Sequence, residues 1–72
     1  MIKISFVNYG NADRQEWKLA FNGTIHGDQE SFKCPQLARM EAQKYFDRLK
    51  GDVRQKYTID ASSYYAALES LR

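Results

Sequence analysis

A chain of 72 residues with eleven Lys and Arg against nine Asp and Glu makes one domain at most, and its net charge of +2 does not direct it to a nucleic acid or a membrane surface. A composition 43% hydrophobic, 28% charged and 14% aromatic excludes a disordered chain. A single cysteine, Cys34, excludes an internal disulfide and gives no sign of an oxidising compartment.

Residues 2 to 9 alternate Ile2, Ile4 and Phe6 with Lys3, Ser5 and Val7, the period-2 pattern of a strand with one buried face. The N-terminus enters this pattern without a signal-peptide core, and no apolar stretch approaches the about 20 residues that span a bilayer. The expected setting is the cytoplasm, with no membrane partner. Gly10-Asn11-Ala12-Asp13 is a cluster of turn formers, after which Trp17, Leu19 and Phe21 alternate with Lys18 and Ala20 as a second strand.

Asn22-Gly23 is the strongest local signal, because a type I′ turn needs positive φ at both central positions. In a cytoplasmic chain, Asn22-Gly23-Thr24 is therefore read as a turn and not as a glycosylation site. A third antiparallel strand should follow, with Leu19 opposite His26, and Gly27-Asp28 could mark a bulge that shifts its phase. Pro35 suits the first turn of a helix over about 35–50. In that helix Ala38, Ala42, Tyr45 and Leu49 form the inward stripe, Phe46 stands at its edge, and Met40 lies on the polar side.

Gly51 reads as the glycine that closes this helix. Val53, Gln55, Tyr57 and Ile59 alternate with Arg54, Lys56 and Thr58, favouring a fourth strand over 53–59, although Asp52 with Gln55 also resembles a capping pair. Asp60 is a good N-cap for a last helix over about 61–71, with Tyr64, Ala67, Leu68 and Leu71 on its apolar stripe. The expected architecture is α+β, with a three-stranded antiparallel sheet, a fourth strand over 53–59, and helices at about 35–50 and 61–71.

The chain offers little for catalysis. Nucleophilic chemistry requires a nucleophile beside an oriented base, and one Cys with one His, Cys34 and His26, is more simply packing. His26, Asp28 and Glu30 alternate as a conceivable divalent-metal set, yet polar residues near a hairpin end are usually just solvated. The glycines are scattered singletons, without a phosphate-cradling loop. No enzyme activity, metal or cofactor is expected.

The sheet's second face would carry Val7, Tyr9, Ala20 and Ile25 with Lys3, Ser5 and Lys18 at its edges. Either the terminal helix covers this face as a second core layer, or it stays open for a partner. Of the adjacent tyrosines, Tyr64 and Tyr65, Tyr65 is the expected surface ring. The candidate protein-binding residues are therefore Tyr9, Lys18, Ile25, Met40 and Tyr65.

In size, in lack of catalytic groups and in strand-strand-strand-helix layout, the chain resembles the small proteins with which phages and other mobile elements block host defence complexes, of anti-CRISPR or anti-restriction type. That resemblance implies an inhibitor or adaptor that binds a protein or protein complex, including one that handles nucleic acid. A dimer is compatible with exposed sheet edges.

The alternative is nucleic-acid binding through the three-stranded sheet or through the 44–56 stretch. There Lys44, Arg48, Lys50, Arg54 and Lys56 face only Asp47 and Asp52. The run from Phe32 to Lys50 is similar in layout to AP2-type and integrase arm-type DNA-binding domains. Those domains place many basic and aromatic groups on the free face of the sheet, where this chain has Lys3, Lys18 and Lys33.

Overall fold

The computed structural model describes residues 1–25 and 29–70, arranged as β1 (Ile2–Asn8), β2 (Trp17–Phe21), α1 (Pro35–Arg48), α2 (Gly51–Gln55), β3 (Tyr57–Ile59) and α3 (Ala61–Glu69). The order in the sheet is β2-β1-β3. β1 pairs antiparallel with β2, Ser5 lying opposite Ala20 and Phe6 opposite Leu19, and parallel with β3, Ile2 lying beside Tyr57. The chain is α+β, but its sheet is mixed, which corrects the purely antiparallel expectation.

The hairpin turn forms as its residues dictate. Asn22 and Gly23 take φ of 52° and 84°, Phe21 and Thr24 exchange both backbone hydrogen bonds, and the Asn22 side chain accepts from the Lys3 N–H at 2.9 Å. Among the described residues, the third strand expected after it is reduced to isolated bridges at Thr24 and Phe32. Beyond Thr24 the chain rejoins β2 at Phe32, which exchanges both bonds with Trp17, so β2 advances four residues while the returning segment advances eight. Between these points the Gln29 carboxamide takes the place of a backbone, accepting from the Leu19 N–H at 2.5 Å and donating to its carbonyl at 2.8 Å. Gln29, Glu30 and Ser31 have little β-propensity, whereas Tyr57-Thr58-Ile59 has the branched and aromatic side chains that pair beside β1. The proposed opposition of His26 to Leu19 and the Gly27 bulge lie outside the described residues.

The 53–59 expectation is half corrected: residues 51–55 are helical, as the Asp52 and Gln55 pair hinted, and only Tyr57–Ile59 is strand. Gly51 does not close α1. That helix ends at Arg48, with Leu49 extended, and Gly51 uses its φ of 59° to open α2.

One core holds the elements together. Ile4 and Phe6 of β1 and Trp17 and Leu19 of β2 pack against Ala38, Ala42 and Phe46 of α1 and Tyr64 and Ala67 of α3. Both long helices therefore sit on the same face of the sheet, and the small alanines let α1 lie close over the strand aromatics. Phe46 replaces Tyr45 in the inward stripe of α1. Phe46 shares its side of the helix with Arg39, which lies over Tyr64 of α3, whereas Tyr45 packs its ring on Phe21 of β2 and Tyr57 of β3 and stays 36% exposed. α3 begins as expected, the Asp60 carboxylate accepting from the Ser63 N–H at 3.3 Å. Leu71, expected on its apolar stripe, lies outside the described residues.

Candidate functional site: a helix-free sheet face and a cleft at the sheet edge

Strand alternation places Lys3, Ser5 and Val7 of β1, Lys18 and Ala20 of β2 and Thr58 of β3 on the face opposite the core. Neither long helix lies on that face, since α1 and α3 both belong to the core cluster on the other side. The arrangement in which the last helix covers it is excluded. Ala20 is nevertheless 1% exposed, and Val7 and Ser5 are half-buried.

Tyr9 leaves the end of β1 with 61% of its surface exposed, and the Lys18 ammonium stands 5.9 Å from the centre of its ring. Its backbone is held: the Tyr9 N–H donates to the Glu16 carbonyl at 2.9 Å, and Asn8 Oδ1 accepts from both Gly10 and Glu16 N–H groups at 2.9 Å. Asn11 Oδ1 does the same for Asp13 and Arg14. Two asparagine side chains thus shape the loop that presents Tyr9 beside Lys18 of β2. Lys18 and Lys3 are the charged strand residues of this face among the described residues, and Tyr9 at the end of β1 is its exposed ring.

The other candidate residues do not join them. Ile25 is half-buried just past the hairpin turn. Met40, 59% exposed, is on α1, and Tyr65, 63% exposed, is on α3 with its ring 5.9 Å from that of Tyr64; both belong to the helix layer. Lys44, Arg48, Lys50, Arg54 and Lys56 are all exposed, but they too are carried by α1, α2 and the approach to β3, apart from the free face. Cys34 is the half-buried residue preceding α1, and His26, its suggested partner, lies outside the described residues. The same holds for His26 and Asp28 of the suggested metal set. Among the described residues no group of three or more His, Cys, Asp or Glu side chains is placed to hold a metal, and no helix is long and apolar enough to cross a membrane.

A feature without a sequence signal lies at the outer edge of β2. A cleft of about 290 Å³ opens between α1 and the segment held by Gln29, with Leu19, Phe21 and Phe32 on one side and Glu41, Tyr45 and Arg48 on the other. The rings of Phe21, Tyr45 and Tyr57 meet edge to face, with centroids 5.8, 5.6 and 6.5 Å apart. Hydrogen bonding to Tyr57, then partial burial, then the charge of Tyr57 hold the Tyr45 phenol above its ordinary value. The side-chain pairing of Gln29 helps to hold the segment that lines this cleft, and a carboxamide in a polar run carries no pattern by which it could be foreseen.

The chain matches no protein-family model, no curated protein and no solved structure in these comparisons.

Proposed function

We propose that this protein is a non-catalytic binding module that engages a partner protein through the helix-free face of its sheet, with Tyr9 and Lys18 at the centre of contact. The observation that carries this reading is the presentation of an exposed tyrosine, on a loop fixed by Asn8 and Asn11, beside a face that neither long helix covers. A rigid amphipathic ring that loses little entropy on docking is a common hot spot in protein interfaces.

An inhibitor or adaptor role of the anti-defence kind is the specific form of this proposal. It rests on small size and on the exposed Tyr9 ring beside Lys18. The strand-strand-strand-helix order on which the resemblance also drew is replaced by strand-strand-helix-helix-strand-helix. That same replacement weakens the likeness to AP2-type and integrase arm-type domains, so nucleic-acid binding falls back on the exposed 44–56 cations.

The test is cross-linked capture from the native host by the wild-type chain and by a Tyr9→Ala/Lys18→Glu variant, in parallel with duplex DNA binding across a salt series. A specific partner retained by wild type and lost by the folded variant is the expected result. Duplex affinity that falls steeply with salt and depends on Lys44, Arg48 and Arg54 would replace this reading with the nucleic-acid one.

A further inference from the structure

The cleft at the β2 edge is independent of the sheet face and has its own chemistry. Its apolar wall survives because the returning chain meets Leu19 with a side chain: the Gln29 carboxamide satisfies both backbone groups, so the edge needs no further strand while Phe21 and Phe32 remain only half-buried. Facing them, Glu41, Tyr45 and Arg48 are spaced four and three residues apart and so share one side of α1.

The volume decides the size of the occupant. At about 290 Å³ the cleft lies at the lower limit of small-molecule sites, enough for one ring with a short stem and too small for a nucleotide or a polycyclic cofactor. The wall decides its character, because the half-buried Phe32 and the partly exposed Tyr45 line it with aromatic surface. Charge decides the rest. Two carboxylates, Glu30 and Glu41, line the cleft against one guanidinium, Arg48, which can stack flat on a bound ring.

We propose that this cleft receives a single aromatic side chain of a partner protein, flanked in that partner by a lysine or arginine whose charge meets Glu30 and Glu41. Such an anchor would add a second contact to the binding module, on the side of the sheet opposite Tyr9.

Two probes of equal length isolate the chemistry: phenethylammonium and 3-phenylpropionate, each a phenyl ring on two methylenes with opposite terminal charge. In ¹H–¹⁵N titrations of the whole chain, phenethylammonium should shift the Leu19 and Tyr45 amides saturably and bind at least about threefold more tightly than 3-phenylpropionate, the size an exposed charge pair supplies. Glu41→Gln should remove much of that preference while both probes still bind. Tyr45→Ala should weaken both, with the dispersion of the remaining spectrum reporting that the fold persists.

Equal or reversed preference for the anion, no saturable shift at either residue, or shifts centred on Tyr9 and Lys18 would overturn the proposal. None of these results bears on the Tyr9→Ala/Lys18→Glu capture experiment, so the two readings fail separately.

Discussion

At the scale of single residues, the tightest constraint is Gly10. A methyl group there would stand 1.9 Å from the Arg14 carbonyl oxygen, closer than any contact can be, so the loop between β1 and β2 must deform to admit it. Gly10→Ala should destabilise the domain by about 1–3 kcal/mol, read as a melting midpoint lower by at least about 4 °C. Tyr45 makes the opposite kind of prediction. Its phenol is held in the protonated form, so the folded state retains this proton at pH values where the unfolded chain gives it up. The resulting stabilisation is complete below a pH of about 10 and is lost as pH rises through the elevated folded value. Tyr45→Phe should therefore show a shallower fall in melting temperature between pH of about 9.5 and 11 than the parent chain does. The turn at Asn22-Gly23 and the cap at Asp60 were legible from the residues alone, because each depends on the local chemistry of one or two side chains. Gln29 was not, because its partner is ten residues away and only the fold brings the two together.

At the scale of elements, α3 does more than cover the core. Past Ile4 the β3 side of β1 has no strand beside it, and the Ser63 hydroxyl accepts the Phe6 N–H there at 2.9 Å. Ser63→Ala keeps the backbone N–H that Asp60 caps and deletes only this acceptor. It should cost about 1–3 kcal/mol and accelerate hydrogen exchange at Phe6; unchanged exchange would show that the hydroxyl is dispensable. Periodicity located β1, β2, α1 and α3 well, since each turns one repeating face to a core. It failed for the segment after Thr24 and for residues 51–59. In the first, a side chain does the work of a strand. In the second, a five-residue helix and a three-residue strand are each too short to establish a period. The inward stripe of α1 was misjudged by one position for a different reason: whether Phe46 or Tyr45 is covered depends on where α3 lands, which α1 itself does not encode.

At the scale of the whole molecule, the decisive fact is that both long helices share one side of the sheet. A 72-residue chain buries only about 60% of the surface its unfolded form exposes, and here nearly all of that burial is concentrated in one core. The face bearing Lys3, Val7, Lys18 and Ala20 is left without a helical layer, and this was the alternative that alternation could pose but could not decide. The surfaces assigned to binding follow from this asymmetry. Tyr9 and Lys18 belong to the uncovered face, and the aromatic cleft lies on the helix side, at the flank of the sheet where α1 does not reach over.

The central position of β1 also has a consequence during synthesis. Its antiparallel neighbour emerges from the ribosome soon after it, but its parallel neighbour begins with Tyr57, 55 positions beyond Ile2. Throughout that interval a nascent hairpin carries one unsatisfied strand edge, the kind of template on which chains pair with one another. Any nascent or proteolysed fragment ending before β3 keeps that edge of β1 bare, and is expected to self-associate more readily than the whole chain, in which β3 pairs with Ile2, Lys3 and Ile4.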